Sequence, residues 1–241
     1  VLKVVQEAEV FWAGEDMPLE IIYEDADLMV INKPAGLVVH PAAGHASGTL
    51  VNALLNYAPE LARLPRGGIV HRLDKDTSGT MFVARSSVAH QSLVAQLADR
   101  SVKREYAAVC IGTVTGGGTI SAPMGRYAHA RTKMAVVNNG KSAITHYRVK
   151  ERFGHHTHLA VTLETGRTHQ IRVHMAYKHH PLVGDPVYGG RPRIPAGASE
   201  PLITGLRAFP RQALHARTLA FDHPQSGQRL TFETDLPDDF E

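Results

Sequence analysis

The feature that most constrains this chain is a recurring alternation of apolar and polar residues, broken by turn formers, which favours an antiparallel sheet. "HLAVTLET" (158–165) sets Leu159, Val161 and Leu163 on one face, and "VKREYAAVCIGTV" (102–114) alternates in the same way. "TKMAVVNNGKSAITHYRV" (132–149) reads as a hairpin turning at Asn139-Gly140, because both residues accept positive φ. "ARTLAFDHPQSGQRLTFET" (216–234) reads as a final hairpin, and "LEIIYEDADLMVINKP" (19–34) as two short strands around an acidic turn. "GTMFVARS" (79–86) is apolar enough for a buried strand. Helical spacing appears in "TLVNALLNY" (49–57) and in "SVAHQSLVAQLADR" (87–100), which opens on serine. "THQIRVHMAYKHH" (168–180) reads as a helix capped by Thr168, with Lys178, His179 and His180 complementing its C-terminal dipole and Pro181 ending it. Residues 186–213, rich in Gly, Pro and Arg, read as a long functional loop. The expected fold class is α+β: a central, largely antiparallel mixed sheet with flanking helices and loops.

With 241 residues, 43% of them hydrophobic, the chain is long enough for one large domain or two small ones. No apolar run approaches the roughly 18–20 residues that span a bilayer, so no membrane association is expected. The opening "VLKVVQEAEVFWAG" carries acids and lacks the order of a signal peptide; it starts at Val1 in mid-strand style, as if something upstream had been removed. Cys110 is the only cysteine, which excludes an internal disulfide and fits a cytoplasmic protein.

The net charge of +3 hides a partition. Residues 1–27 hold eight acids and one base, and residues 222–241 hold six acids and one base. The middle, 28–221, is left with 24 bases against nine acids, and over the whole chain arginine outnumbers lysine 18 to 8. A basic surface without a partner would explain a general excess. The segregation, and the preference for a planar fork that suits phosphate, point to nucleic acid.

Within the basic middle lies "HRLDKDTSG" (71–79). Asp76 to Gly79 are turn formers, and Asp74 projects from the turn among cations, where a carboxylate is held in its charged form. Such a group can act as nucleophile or base without a metal. "DKDTS" nearly fits the signature of aspartyl-phosphate phosphatases, but Ser78 stands where Thr or Val is needed and no buried strand precedes it. In "TGRTHQIRVH" (165–174), Gly166 makes the turn and Arg167 falls at the helix start, where the dipole disfavours a cation, so a carboxylate or phosphate partner is expected. Met175 belongs to the core. Tyr106, on an alternating strand, is either core or a platform for a planar ligand. Fifteen histidines include the cluster His155, His156 and His158, but no metal-binding pattern, and no metal is expected. "NNGKS" (138–142) lacks the glycine of a phosphate loop at Ala135.

Five ordered motifs, "INKPAGLVVHP" (31–41), "GGIVHRLDKDTSG" (67–79), "KREYAAV" (103–109), "ETGRTHQIRVHMA" (164–176) and "HPLVGDPVYGG" (180–190), resemble those of the RluA family of RNA pseudouridine synthases, over about residues 20–238. The resemblance implies a pseudouridine synthase fold with a deep basic cleft. It implies an isomerase that converts uridines of 23S ribosomal RNA, clustered in one stem-loop, to pseudouridine without a cofactor. Asp74 would be the catalytic aspartate, Tyr106 the tyrosine that stacks on the base, and Arg167 the cation paired with the aspartate. Ile171 would line the pocket, Arg72 would hold the space of the flipped nucleotide, and His71 and Lys33 would contact RNA. Members usually carry an N-terminal S4-type RNA-binding domain. Residues 1–19 are therefore expected to be a linker remnant from such a domain, and 20–241 the catalytic domain. The partner would be 23S rRNA or a precursor large ribosomal subunit, bound by a monomer. Another class of function with the same fold is a noncatalytic RNA-binding or ribosome-assembly factor; a metal-dependent phosphatase is a third.

Overall fold

A computed structural model describes residues 12–41 and 45–240. The strands are β1 (Glu20–Glu24), β2 (Leu28–Lys33), β3 (Ser78–Ala84), β4 (Lys103–Ile111), β5 (Gly118–Ser121), β6 (Met124–Tyr127), β7 (Ala130–Val136), β8 (Ile144–Phe153), β9 (His156–Leu163), β10 (Leu214–Asp222) and β11 (Arg229–Glu233). The helices are α1 (Leu50–Tyr57), α2 (Ser87–Ala98), α3 (Gln170–Tyr177) and α4 (Glu200–Ala208). Among the described residues nine strands form one sheet in the order β1-β2-β3-β10-β4-β9-β8-β5, with β11 paired to β10; β6 and β7 form a separate ribbon. The β10–β3 pairing is parallel and the other strand pairs are antiparallel. The expected mixed, largely antiparallel α+β architecture is present.

Alternation along the strands divides the apolar side chains between two faces. One face joins Tyr106, Cys110, Leu159, Val161 and Leu214 to Ile171 and Met175 of α3. The other packs Phe82, Leu219 and Phe221 against Leu93 of α2. β3 is buried along its whole length because both faces are covered. Its second residue must be glycine: Gly79 has φ +115°, and a Cβ there would lie 2.1 Å from the Ala216 carbonyl oxygen of β10. The serine that caps α2 is Ser86, one residue before the serine that opens the expected helix. Ser86 accepts a hydrogen bond from Ala89 N–H to start α2, and Thr49 with Asn52 forms a capping box on α1.

Three expectations are corrected. The hairpin over 132–149 does not form. β7 pairs backward with β6, while β8 joins the large sheet between β9 and β5. The Asn139-Gly140 segment does turn, with Gly140 N–H bonded to Val137 O, but it carries the chain from the ribbon to the sheet. The helix expected over 168–180 is shorter, and Thr168 is not its cap: His169, in the left-handed region at φ 57°, immediately precedes it. The segment 186–213 contains α4 and is not all loop.

Of the expected linker over 1–19, residues 1–11 lie outside the described residues. Trp12 packs on the core, Asn52 donates to Ala13 O (2.8 Å), and the Glu15 carboxylate accepts from Gly48 N–H. No described helix is long and apolar enough to cross a membrane.

Candidate active site

The loop from His71 to Thr77 enters β3 carrying Asp74, and its backbone is held from below. Lys33 is fully buried, and its ammonium donates to the carbonyls of Pro34 (2.7 Å), Leu37 (2.9 Å) and Lys75 (2.9 Å). Arg211 donates to Asp76 O (3.2 Å), and the Gln212 amide donates to Thr77 Oγ1 (3.1 Å). Lys33, expected at an RNA contact, is instead turned inward with its three donors on backbone carbonyls, and it positions the residue next to Asp74. Burial pushes its pKa down to about 7, while Asp76 and Asp74 nearby favour its charged form.

Asp74 opens onto a cavity of about 690 Å³, within the range that holds small ligands. Its Oδ2 accepts from Arg172 Nη1 at 3.0 Å. Arg167, expected as the paired cation, instead donates from Nε to Ser142 O (3.1 Å) and is exposed on the cavity wall. The correction follows from where α3 begins. His169 takes a left-handed conformation, so Arg167 leaves before the helix and Arg172, on its first turn, faces the carboxylate. Gln170 stabilises this entry by accepting from Arg167 N–H (3.0 Å) and Thr165 Oγ1–H (2.8 Å) while donating to Ile144 O (3.0 Å).

Arg172 bridges two carboxylates. Its Nε and Nη2 donate to Asp185 Oδ2 (2.8 Å) and Oδ1 (3.0 Å), and Asp185 Oδ1 also accepts from the N–H groups of Val187 and Tyr188. Burial works against the guanidinium's charge, but the Asp185 hydrogen bonds and the Asp74 charge outweigh it and raise the Arg172 pKa. Burial likewise works against the Asp185 anion, and the Arg172 hydrogen bonds prevail and lower its pKa. The Tyr188 ring lies under the guanidinium, 5.1 Å from its carbon, and the Tyr188 hydroxyl is 2.8 Å from His169 Nδ1. His169 Nε2 is 3.9 Å from Asp74 Oδ1. Arg172, Asp185, Tyr188 and His169 were not singled out for roles by sequence reasoning. The available signal was the spacing of two quoted motifs, which join only in space.

Tyr106 lies on β4, 7% exposed, at the cavity floor, with Ile171 beside it in the lining. Burial raises the phenol pKa, so the hydroxyl stays protonated at neutral pH. Arg72 is exposed at the wall. His71 is half-buried and lines the cavity, but its Nε2 accepts from Phe82 N–H (3.2 Å) and its ring packs on Phe82 at 4.4 Å. Its contacts are those of a packing residue, and burial, with Arg104 nearby, pushes its pKa down to about 3.

This has a consequence for stability. A histidine whose folded pKa lies below its unfolded value of about 6.5 is neutral in the fold while the unfolded chain takes up protons. Stability should therefore fall as pH drops from about 6.5 towards those folded values, with no contribution above that window. His71 (about 3), His40 (about 4) and His215 (about 4) all share this sign. The cost of His71→Gln, measured by urea unfolding, should be smaller at pH 4.5 than at pH 7.5. An equal cost at both would contradict the burial of a neutral imidazole.

A carboxylate held by an arginine thus shares an arginine-rich cavity with a buried tyrosine on the mixed sheet. The RNA pseudouridylate synthase family model matches residues 27–177, and the chain belongs to that family of RNA-modifying isomerases. Ribosomal large subunit pseudouridine synthase D of Pseudomonas aeruginosa is 62% identical over 240 residues, covering 100% of this chain and 75% of that protein. The protein of the same name from Escherichia coli O6:H1 is 57% identical over 233 residues, covering 97% and 72%. Among solved structures, human RNA pseudouridylate synthase domain containing 1 superposes with a TM-score of 0.70 at 27% identity, covering 94% of this chain and 87% of its own.

Proposed function

We propose that this chain isomerises uridines of 23S ribosomal RNA, clustered in one stem-loop, to pseudouridine, with Asp74 as the essential carboxylate. The observation that carries the reading is the Asp74–Arg172 contact of 3.0 Å at the wall of a cavity floored by Tyr106. The name shared by the bacterial relatives supports the large-subunit substrate.

The reaction breaks the N1–C1′ bond, turns the uracil, and joins C5 to C1′. The proton lost from C5 is balanced by the one gained at N1, so no redox partner or group donor is required and no cofactor is expected. The target uridine must leave its stack, at roughly a few kcal/mol. Phosphate contacts to the arginine-rich rim supply that energy. Asp74 acts at C1′ or C2′ of the sugar, or at C6 of the base. Arg172 holds the carboxylate's direction through its second bridge to Asp185 and does not itself need to reach the substrate. Tyr106, protonated, serves better as a stacking face than as a base towards the C5 proton. His169 is the nearby group suited to that proton: burial lowers its pKa, and Asp74 only partly counteracts this.

The test is to incubate the protein with a 23S rRNA transcript and map pseudouridine, alongside rRNA from cells lacking the protein. Conversion confined to a few uridines of one stem-loop is expected; no conversion in any large-subunit RNA would refute the reading. Binding should also weaken steeply with salt. For six to ten phosphate contacts, affinity falls about 10³–10⁵-fold between 50 and 200 mM. A flat response would remove the role given to the basic rim.

A further inference from the structure

Arg104 is the buried cation in the cavity that the proposed chemistry leaves unused. It is 9% exposed, lines the same cavity as Asp74, and sits two residues before Tyr106 on β4, hence on the same face. Among the described residues it has no hydrogen-bond or ion-pair partner, and its Nε is buried with its bond unmade. The acids around it are engaged elsewhere. Asp74 holds Arg172, Glu164 holds Arg100 and His146, and Glu105 holds Arg148 and Lys103. Room for its head group is kept by Gly166, where a Cβ would lie 2.7 Å from Arg104 Nη1.

A buried guanidinium with no counter-charge costs stability, so its retention is not explained by the fold. It is explained if the ligand brings the anion. We propose that Arg104 binds a backbone phosphate of the nucleotide whose base enters the cavity. The assignment rests on the reading that RNA occupies this site. Uracil is neutral, so phosphate is the anion such a ligand carries. The fork geometry of arginine suits two phosphate oxygens, and burial removes the competing water. Contact through a phosphate would fix the distance between backbone and stacked base, with Tyr106 and Arg104 as its two ends.

The test measures binding of a 23S rRNA transcript across a series of KCl concentrations, with Arg104→Met, Arg104→Gln and Arg104→Lys. Met and Gln should weaken binding roughly tenfold to hundredfold. They should also reduce the slope of log K against log salt by about one, while Lys keeps the slope. KM should rise with little change in kcat, because a phosphate anchor serves ground and transition states alike. The melting temperature of Arg104→Met should hold or rise, since an unpaired buried charge is replaced by an apolar chain of similar length. An unchanged slope in Met and Gln variants that remain folded would overturn the assignment, as would a loss confined to kcat, which would point to the uracil carbonyls instead. Should the wild type convert uridine while the slope is unmoved, only the Arg104 assignment fails. Should the wild type neither bind nor convert the transcript, the reading of the site falls, and this assignment with it.

Discussion

Replacing Asp74 with asparagine should lower pseudouridine formation by at least about 10³-fold while RNA binding stays within a few-fold of the wild type. The amide keeps the shape and still offers an oxygen to Arg172 Nη1, which donates to Oδ2 at 3.0 Å. What it loses is the negative charge and the lone-pair basicity that either attack on the sugar or attack on C6 demands. The loop itself should not move, because Lys33 and Arg211 hold the carbonyls of Lys75 and Asp76 and do not use the Asp74 side chain. The measurement is single-turnover conversion of a 23S rRNA transcript, with binding measured separately. A variant as active as the wild type would mean that the carboxylate is not the reacting group and would return the protein to the class of RNA-binding factors.

The second large effect should separate two arginines five positions apart. Arg172→Met should cost about 3–5 kcal/mol of stability and abolish most activity. Met would leave Asp185, whose side chain is fully buried, without its two guanidinium bonds, and would release Asp74. Arg172→Lys should restore little, since an ammonium is a point charge and cannot span two carboxylates with the geometry of a fork. Arg167→Met should change melting temperature little and activity modestly, because Arg167 is exposed and spends its bond on Ser142 O. Paired measurements of melting temperature and turnover for the three variants are decisive. If Arg167→Met proved the more damaging, the assignment of the clamp to Arg172 would be wrong.

Local pattern accounts for much of what was legible. Period-two alternation located β4 and β9, and the apolar run located β3, because a strand's side-chain direction is dictated by its own backbone. The loop around Asp74 was legible for a similar reason. Turn formers ending on a glycine that must take positive φ announce a reversal wherever they occur. The hairpin over 132–149 was misread because a turn signal at Asn139-Gly140 says that the chain bends, not which strand each arm will pair with.

Charge placement was the other limit. Lys33 and Arg172 were hard to place because lysine and arginine are rarely buried, and average behaviour assigns them to the surface. Their burial depends on partners distant in the chain: Lys75 O for Lys33, and Asp74 together with Asp185 for Arg172. The amino-acid order thus settled strands such as β3 and β9, the turn that presents Asp74 and the strand that carries Tyr106, since each follows from interactions within a few residues. Which arginine clamps the carboxylate, and whether a lysine meets RNA or backbone, was decided by the three-dimensional packing. The left-handed residue ahead of α3 sets the direction of every side chain after it, and the counter-charges that make burial tolerable arrive from other parts of the chain.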